Sequence, residues 1–210
     1  DNNVLSKFVE KISSFNKSKL KTVEYISKSR TPYLPYSCII LDEIMRVTNP
    51  RNIICSISGL REGSLSIDYF KDVKESEIFH KALENVAKKR GDLGSNYKKY
   101  YDFIQPVFEG NEHFNKKLLY LACVLSHMDW GLGAFQKAEL VFQETINTPL
   151  LRLTHKERIQ LALSCYWRYC SIKYNPKMEY LTFLNNNEIF SSKQVGAALR
   201  FSQSLTSIST

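Results

Sequence analysis

Apolar residues recur at helical spacing from the start of the chain: Val4, Leu5, Phe8, Val9 and Ile12, then Leu20, Val23 and Ile26 after a polar break. Positions three and four apart share one helix face, so residues 3–28 read as two short helices or one interrupted helix. Prolines at 32 and 35, within Arg30-Thr-Pro-Tyr-Leu-Pro35, lack amide donors and restrict their neighbours, which bars a helix from running through. Ser37 to Val47 resumes the helical pattern through Ile40, Leu41, Ile44 and Met45, and Asn49-Pro50 closes it. Ile53 to Ser58 is a short apolar run bounded by turn residues, the pattern of a strand. A helix, a turn and an isoleucine-rich strand read as the last unit of an α/β layer. One such unit cannot make a sheet, so its neighbouring strands are expected from outside this sequence.

The pattern changes near residue 70. From Glu75 onward it predicts helices over Glu75–Lys89, Asn96–Phe108, Phe114–Met128, Ala134–Asn147, Lys156–Tyr169, Met178–Leu184 and Ser192–Leu205. Thr154 and Glu157 form a capping-box pair, each side chain able to satisfy the other's orphan amide. Lys89-Arg90 places positive charge in a last turn, and Gly91 can take the terminating left-handed position. The expectation is a mainly α chain: a small α/β remnant over residues 1–70, then an all-helical domain over 71–210.

Composition narrows the field without choosing within it. The chain has 210 residues, 43% of them apolar, which suits a folded protein. Its net charge of +8 steers it toward anionic partners of unspecified kind. Five cysteines, Cys38, Cys55, Cys123, Cys165 and Cys170, show no CxxC spacing, and four lie in apolar runs. That usage implies reduced, buried thiols and a cytoplasmic location. No apolar run approaches the about 18 residues of a membrane span, and no signal-peptide pattern is present. The chain opens on Asp1 without an initiator methionine and reads as a fragment or a processed product.

Candidate chemistry is sparse. Ser126-His127-Met128-Asp129 ends the apolar run Leu118–Leu125, and with His80 or His155 from a neighbouring helix it could bind a divalent metal. The competing reading is a polar pair that ends a core helix. Cys123 and Cys165 lie among apolar neighbours and read as core residues, not nucleophiles. Lys88, Lys89, Arg90, Lys116, Lys117, Arg158 and Arg168 are the candidate contacts for a polyanion, which such charge binds without base specificity. No recognition helix, RNA-binding sheet motif or phosphate-cradling glycine loop is present, so nucleic acid is not the expected partner. Gly59-Leu-Arg-Glu-Gly63 reads as the exit of the strand through a permissive turn, with Arg61 or Glu62 clamping a neighbouring element.

Several of these segments together resemble the exopolyphosphatase / guanosine pentaphosphate phosphatase (Ppx/GppA) family. The resemblance rests on Gly59, Leu60, Arg61, Glu62 and Gly63, preceded by Arg30, Leu34 and Pro35 and by the Ile39–Met45 helix. It extends to Leu118–Trp130, Thr154–Tyr169 and Gln194–Leu205, and so covers nearly the whole chain. It implies that residues 1–70 close an actin-like (ribonuclease H-like) domain and that 71–210 form a helical domain related to the HD phosphohydrolases. It also implies a parent enzyme that releases terminal phosphate from inorganic polyphosphate or guanosine pentaphosphate with Mg²⁺, and a homodimer as a further expectation. The family's phosphate-binding glycine loops and catalytic glutamate match no position here, so no catalytic residue is assigned and the chain by itself is expected to be non-catalytic. His127 and Asp129 fall near the HD helix end, but the adjacent His-Asp dipeptide is absent, which implies a degenerate site without metal. Two alternatives stand beside this reading: an independent HD-like metal phosphohydrolase using His80, His127 and Asp129, and a non-enzymatic helical polyanion-binding or interaction module.

Overall fold

A computed structural model describes residues 2–24, 26–53, 56, 59–69, 84–86, 88, 97–110, 115–127, 131–148, 150, 153–174 and 178–206. The chain divides into two compact units, Asp1–Ser56 and Ile57–Thr210. The boundary expected between residues 70 and 71 falls outside the described residues.

In the first unit, α1 (Asn2–Ser13) packs against α3 (Leu34–Thr48), with α2 (Lys17–Leu20) between them in sequence. Their small core is Val9, Ile12, Leu20 and Cys38, flanked by Leu5, Phe15, Val23 and Leu34. The prolines act as helix starters here. Thr31–Tyr33 forms a 3₁₀ turn and α3 begins at Leu34, with both prolines in first-turn positions that need no amide donor. Asn49 ends α3 in the left-handed conformation, φ 41°, its amide donating to Met45 O.

The expected α/β remnant is corrected by the structure: no strand occurs among the described residues. Ile53 and Ser56 lie in irregular backbone. An isolated apolar run has no partner for its backbone donors and acceptors, and six residues are too few for periodicity to separate strand from other states. The glycine-bounded turn is corrected too. Leu60 to Tyr69 is a helix, α4, so Arg61, Glu62 and Gly63 belong to its first turn. Glu62 reaches back to accept from the Gly59 amide at 2.7 Å, and Gly63 N donates to Gly59 O at 3.1 Å. That is half of a capping box with glycine at the cap, a helix signal that the strand reading passed over.

The second unit is organised around α8 (His155–Tyr169). Ile159 and Leu161 through Trp167 are buried, so the helix is enclosed on all sides, as befits the middle of a bundle. It packs against α7 (Ala134–Asn147), α10 (Asn186–Thr206) and α6 (Lys116–Leu125), while α5 (Tyr97–Ile104) meets α6 and α10. The short α9 (Met178–Leu181) adds Tyr180 and Leu181 to the α7–α8 core. The expected capping box forms: Thr154 N donates to Glu157 Oε2 at 2.8 Å, and Glu157 N to Thr154 Oγ1 at 3.1 Å. A second such pair, Asn185 with Glu188, starts α10 six residues before the position predicted from the apolar pattern.

Candidate functional site

The polar residues of this unit that carry chemistry converge at the C-terminal ends of α6 and α8. Helix α6 stops at Leu125, which places Ser126 and His127 at its end, both buried. Arg168 projects from the last turn of α8 and is 3% exposed. Its Nη1 donates to Ser126 Oγ at 2.6 Å, its Nε to Gln203 Oε1 of α10 at 3.3 Å, and its Nη2 meets His127 Nδ1 at 2.9 Å. A guanidinium has no acceptor, so His127 Nδ1 accepts and the ring proton resides on Nε2. Tyr169 OH donates to Ser126 O at 2.8 Å, and its ring lies 5.4 Å from the Arg168 guanidinium carbon. Arg168 is therefore a buried cation solvated by a hydroxyl, an imidazole and an amide, with no carboxylate bonded to it among the described residues.

Two further arginines serve the ends of α8. Arg200 donates through Nε to Arg168 O at 2.8 Å and through Nη2 to Trp167 O at 2.6 Å and to Cys170 O. It gathers the carbonyls that a helix end leaves unpaired, where positive charge is favourable. Arg158, in the first turns, donates to Thr148 O and, at 2.9 Å, to Leu150 O. Burial pulls its guanidinium below the ordinary value. Arg158 and Arg168 were expected on a polyanion-binding surface. At 4% and 3% exposure they are internal fasteners, and that expectation is corrected for both.

The remaining basic candidates behave differently. Lys88 and Lys116 are exposed, and Lys117 is half-buried, the latter two in the first turn of α6. Asn115 caps that helix by accepting from Lys117 N and Leu118 N, and its Nδ2 donates to Glu157 Oε1 at 3.3 Å. Lys98 and Lys99 are exposed on α5, which packs against α6. Lys89, Arg90, His80 and Asp129 lie outside the described residues. Arg30, Gly59, Leu60, Arg61, Glu62 and Gly63 are exposed, whereas Leu34 and Pro35 are half-buried at the start of α3.

The metal reading was tested on His127. Its Nδ1 is taken by a guanidinium 2.9 Å away, which removes that nitrogen as a ligand. Among the described residues no group of three or more His, Cys, Asp or Glu could hold a metal ion. Mg²⁺ requires oxygen ligands in near-octahedral array. Among the described residues no such array of ligands is present.

The thiols are equally unsuited to nucleophilic work. Cys38, Cys123, Cys165 and Cys170 are buried and form no disulfide. Burial pushes the Cys123 thiol up to about 12, with Cys165 and Asp102 adding to the rise and Arg168 opposing it. An unfolded cysteine ionises near pH ~8.5, so above that pH the unfolded chain releases a proton that the folded chain retains. Stability therefore falls as pH climbs from about 8.5 toward 12. At ~1.4 kcal/mol per pH unit, Cys123 alone accounts for about 2 kcal/mol by pH 10. Urea unfolding at pH 7.5 and pH 10 checks this: Cys123→Ala should have a visibly smaller loss between the two conditions than the parent chain. Equal losses would place the alkaline sensitivity elsewhere.

No protein-family model and no curated protein matches the sequence. Among the described residues no helix is long and apolar enough to cross a membrane.

Proposed function

We propose that this chain is a non-catalytic helical part of an exopolyphosphatase-type phosphohydrolase, acting on inorganic polyphosphate or guanosine pentaphosphate. One observation carries most of the support. Within the three segments in which the resemblance lies, Leu118–Leu125, His155–Tyr169 and Gln194–Leu205 belong to α6, α8 and α10, and those helices share one core. A shared core is what co-inherited segments of one domain would need. The Gly59–Gly63 motif adds less, since it opens a helix where the resemblance implied a strand and turn.

In this reading the groups that break the phosphoanhydride bond lie outside these 210 residues, together with the Mg²⁺ they use. The helical part contributes exposed positive charge. Lys88, Lys116 and Lys117 are the contacts proposed for a polyanion; Lys98 and Lys99 are also exposed, on α5, which packs against α6. Lys116 and Lys117 bring positive charge to the amino end of α6, whose Lys117 and Leu118 amides are taken by the Asn115 cap. A cytoplasmic location is part of the proposal and is supported by four buried cysteines outside any disulfide.

The proposal is tested by binding of long-chain polyphosphate to the 210-residue chain across a salt series. Lys88→Glu, Lys116→Glu and Lys117→Glu together should weaken binding at least about tenfold and flatten the slope of log affinity against log salt by about two. Unchanged affinity and slope in the triple variant would reject these residues as contacts.

A further inference from the structure

Helix α1 carries more apolar surface than its core uses. Leu5, Val9 and Ile12 fall within an arc of about 60° and turn into the small core of the first unit. Val4 and Phe8 extend that arc on one side by about 80° and stay 66% and 44% exposed. Next round the helix come Lys7 and Lys11, both exposed. An apolar row, residues 4 and 8, therefore runs beside a basic row, residues 7 and 11, and all four fit within about 100° of the helix surface.

The acidic residues are placed so that this face stays positive. Glu10 lies about 60° past Lys7, on the side away from Val4 and Phe8. From Lys11 to Val23 the chain holds Lys11, Lys17, Lys19 and Lys21 and no Asp or Glu. All four are exposed, and among the described residues neither they nor Lys7 form an ion pair. Ammonium groups of this density call for water or for an anionic partner, since burying them beneath an apolar protein face is costly.

The two rows together select the partner. A soluble polyanion would neutralise the lysines and leave Val4 and Phe8 in water. An anionic lipid surface takes both rows at once. The apolar side chains enter the boundary between headgroups and acyl chains, while the lysine stems run alongside and hold their ammonium groups among the phosphates. We propose that α1 seats this chain on an anionic lipid bilayer, lying along the interface with Val4 and Phe8 inserted and Lys7 and Lys11 on lipid phosphates. Lys17, Lys19 and Lys21 add attraction without insertion. With two apolar side chains inserted the contact is reversible and weakens with salt. It uses residues of the first unit alone and does not depend on the phosphohydrolase reading.

Co-sedimentation of the 210-residue chain with vesicles tests the proposal. The chain should pellet with phosphatidylcholine vesicles containing about one third phosphatidylserine, stay in solution with phosphatidylcholine alone, and be released at ~0.5 M salt. Lys7→Glu with Lys11→Glu should weaken partitioning at least about tenfold. Val4→Ser with Phe8→Ser should weaken it about fivefold with every charge retained. Thermal melts check that the unit survives. Should Phe8→Ser loosen the core, Val4→Asp gives the same loss from a position that is 66% exposed. A chain that ignores anionic vesicles, or pellets equally with neutral ones, would overturn the proposal. So would folded variants at Val4 and Phe8 that partition like the parent, which would leave a soluble polyanion as the occupant.

Discussion

Gly196→Ala should lower the melting temperature of the second unit by about 4–8 °C, although alanine is the better helix former by ~1 kcal/mol. Gly196 lies in α10 where that helix crosses α8. A Cβ added there would come within 2.6 Å of Trp167 Cβ, 2.9 Å of Ser164 O and 2.9 Å of Trp167 C. Those atoms belong to backbone or to the root of a fully buried side chain, so no rotamer change relieves the clash. The two helices must separate instead, which loosens Leu161, Cys165, Val195 and Leu199 in one shared cluster. Overpacking commonly costs ~1–3 kcal/mol, and rigid neighbours put this site at the upper end. Subtracting the propensity gain leaves about 2 kcal/mol. Gly63→Ala is the control: nothing lies within 4 Å of its added Cβ, so that variant should hold or gain stability. Thermal melts of the two variants beside the parent chain suffice. A Gly196→Ala chain as stable as the parent would mean that α8 and α10 do not approach as described.

The second large effect is at Arg168. Arg168→Met keeps most of the volume but strips Ser126 Oγ, His127 Nδ1 and Gln203 Oε1 of their donor at once. Removing one partner from a buried polar group costs ~1–3 kcal/mol; Ser126 and His127 are buried and Gln203 half-buried, so a loss of about 3 kcal/mol is expected. Arg168→Lys should recover little, because one ammonium cannot address three acceptors in the plane of a guanidinium fork. His127→Leu should cost less in the Arg168→Met background than in the parent chain, since the hydrogen bond between the two side chains is already lost there. Denaturant midpoints for the four corners of that double-mutant cycle give the coupling directly. Additive losses would show that the arginine and the histidine do not act as a pair.

Sequence pattern and structure agree where burial alone sets the outcome. Helices α6, α7 and α8 carry apolar residues dense enough to mark them, and the Thr154–Glu157 box marks the start of α8 by chemistry that a one-dimensional string preserves. The errors share a cause. Ile53–Ser58 carries the composition of a strand, but a strand exists only with a partner, and partnership is invisible in six residues. Pro32 and Pro35 look like breakers until their place in a first turn is known. Arg158 and Arg168 read as surface charge by residue type. Their burial follows from carbonyls, a hydroxyl and an imidazole brought from other elements, which sequence order does not announce. Arg200 and Gln203 went unnoticed for the same reason. The Asn185–Glu188 box that begins α10 was available and would have corrected the helix start. At the candidate site, only the nearness of His127 to the end of a core helix was legible beforehand.

The reading as a whole turns on whether this chain performs chemistry. Phosphate release from long-chain polyphosphate, measured with Mg²⁺ and then with Mn²⁺ or Zn²⁺, tests that most directly when run on two polypeptides in parallel: these 210 residues alone, and the same residues joined to the glycine-loop and glutamate-bearing regions of the resembled family. The account predicts turnover by the joined polypeptide and none above background by the 210-residue chain with any metal. Metal-dependent release by the 210-residue chain would contradict it, as would a joined polypeptide that binds polyphosphate and releases nothing.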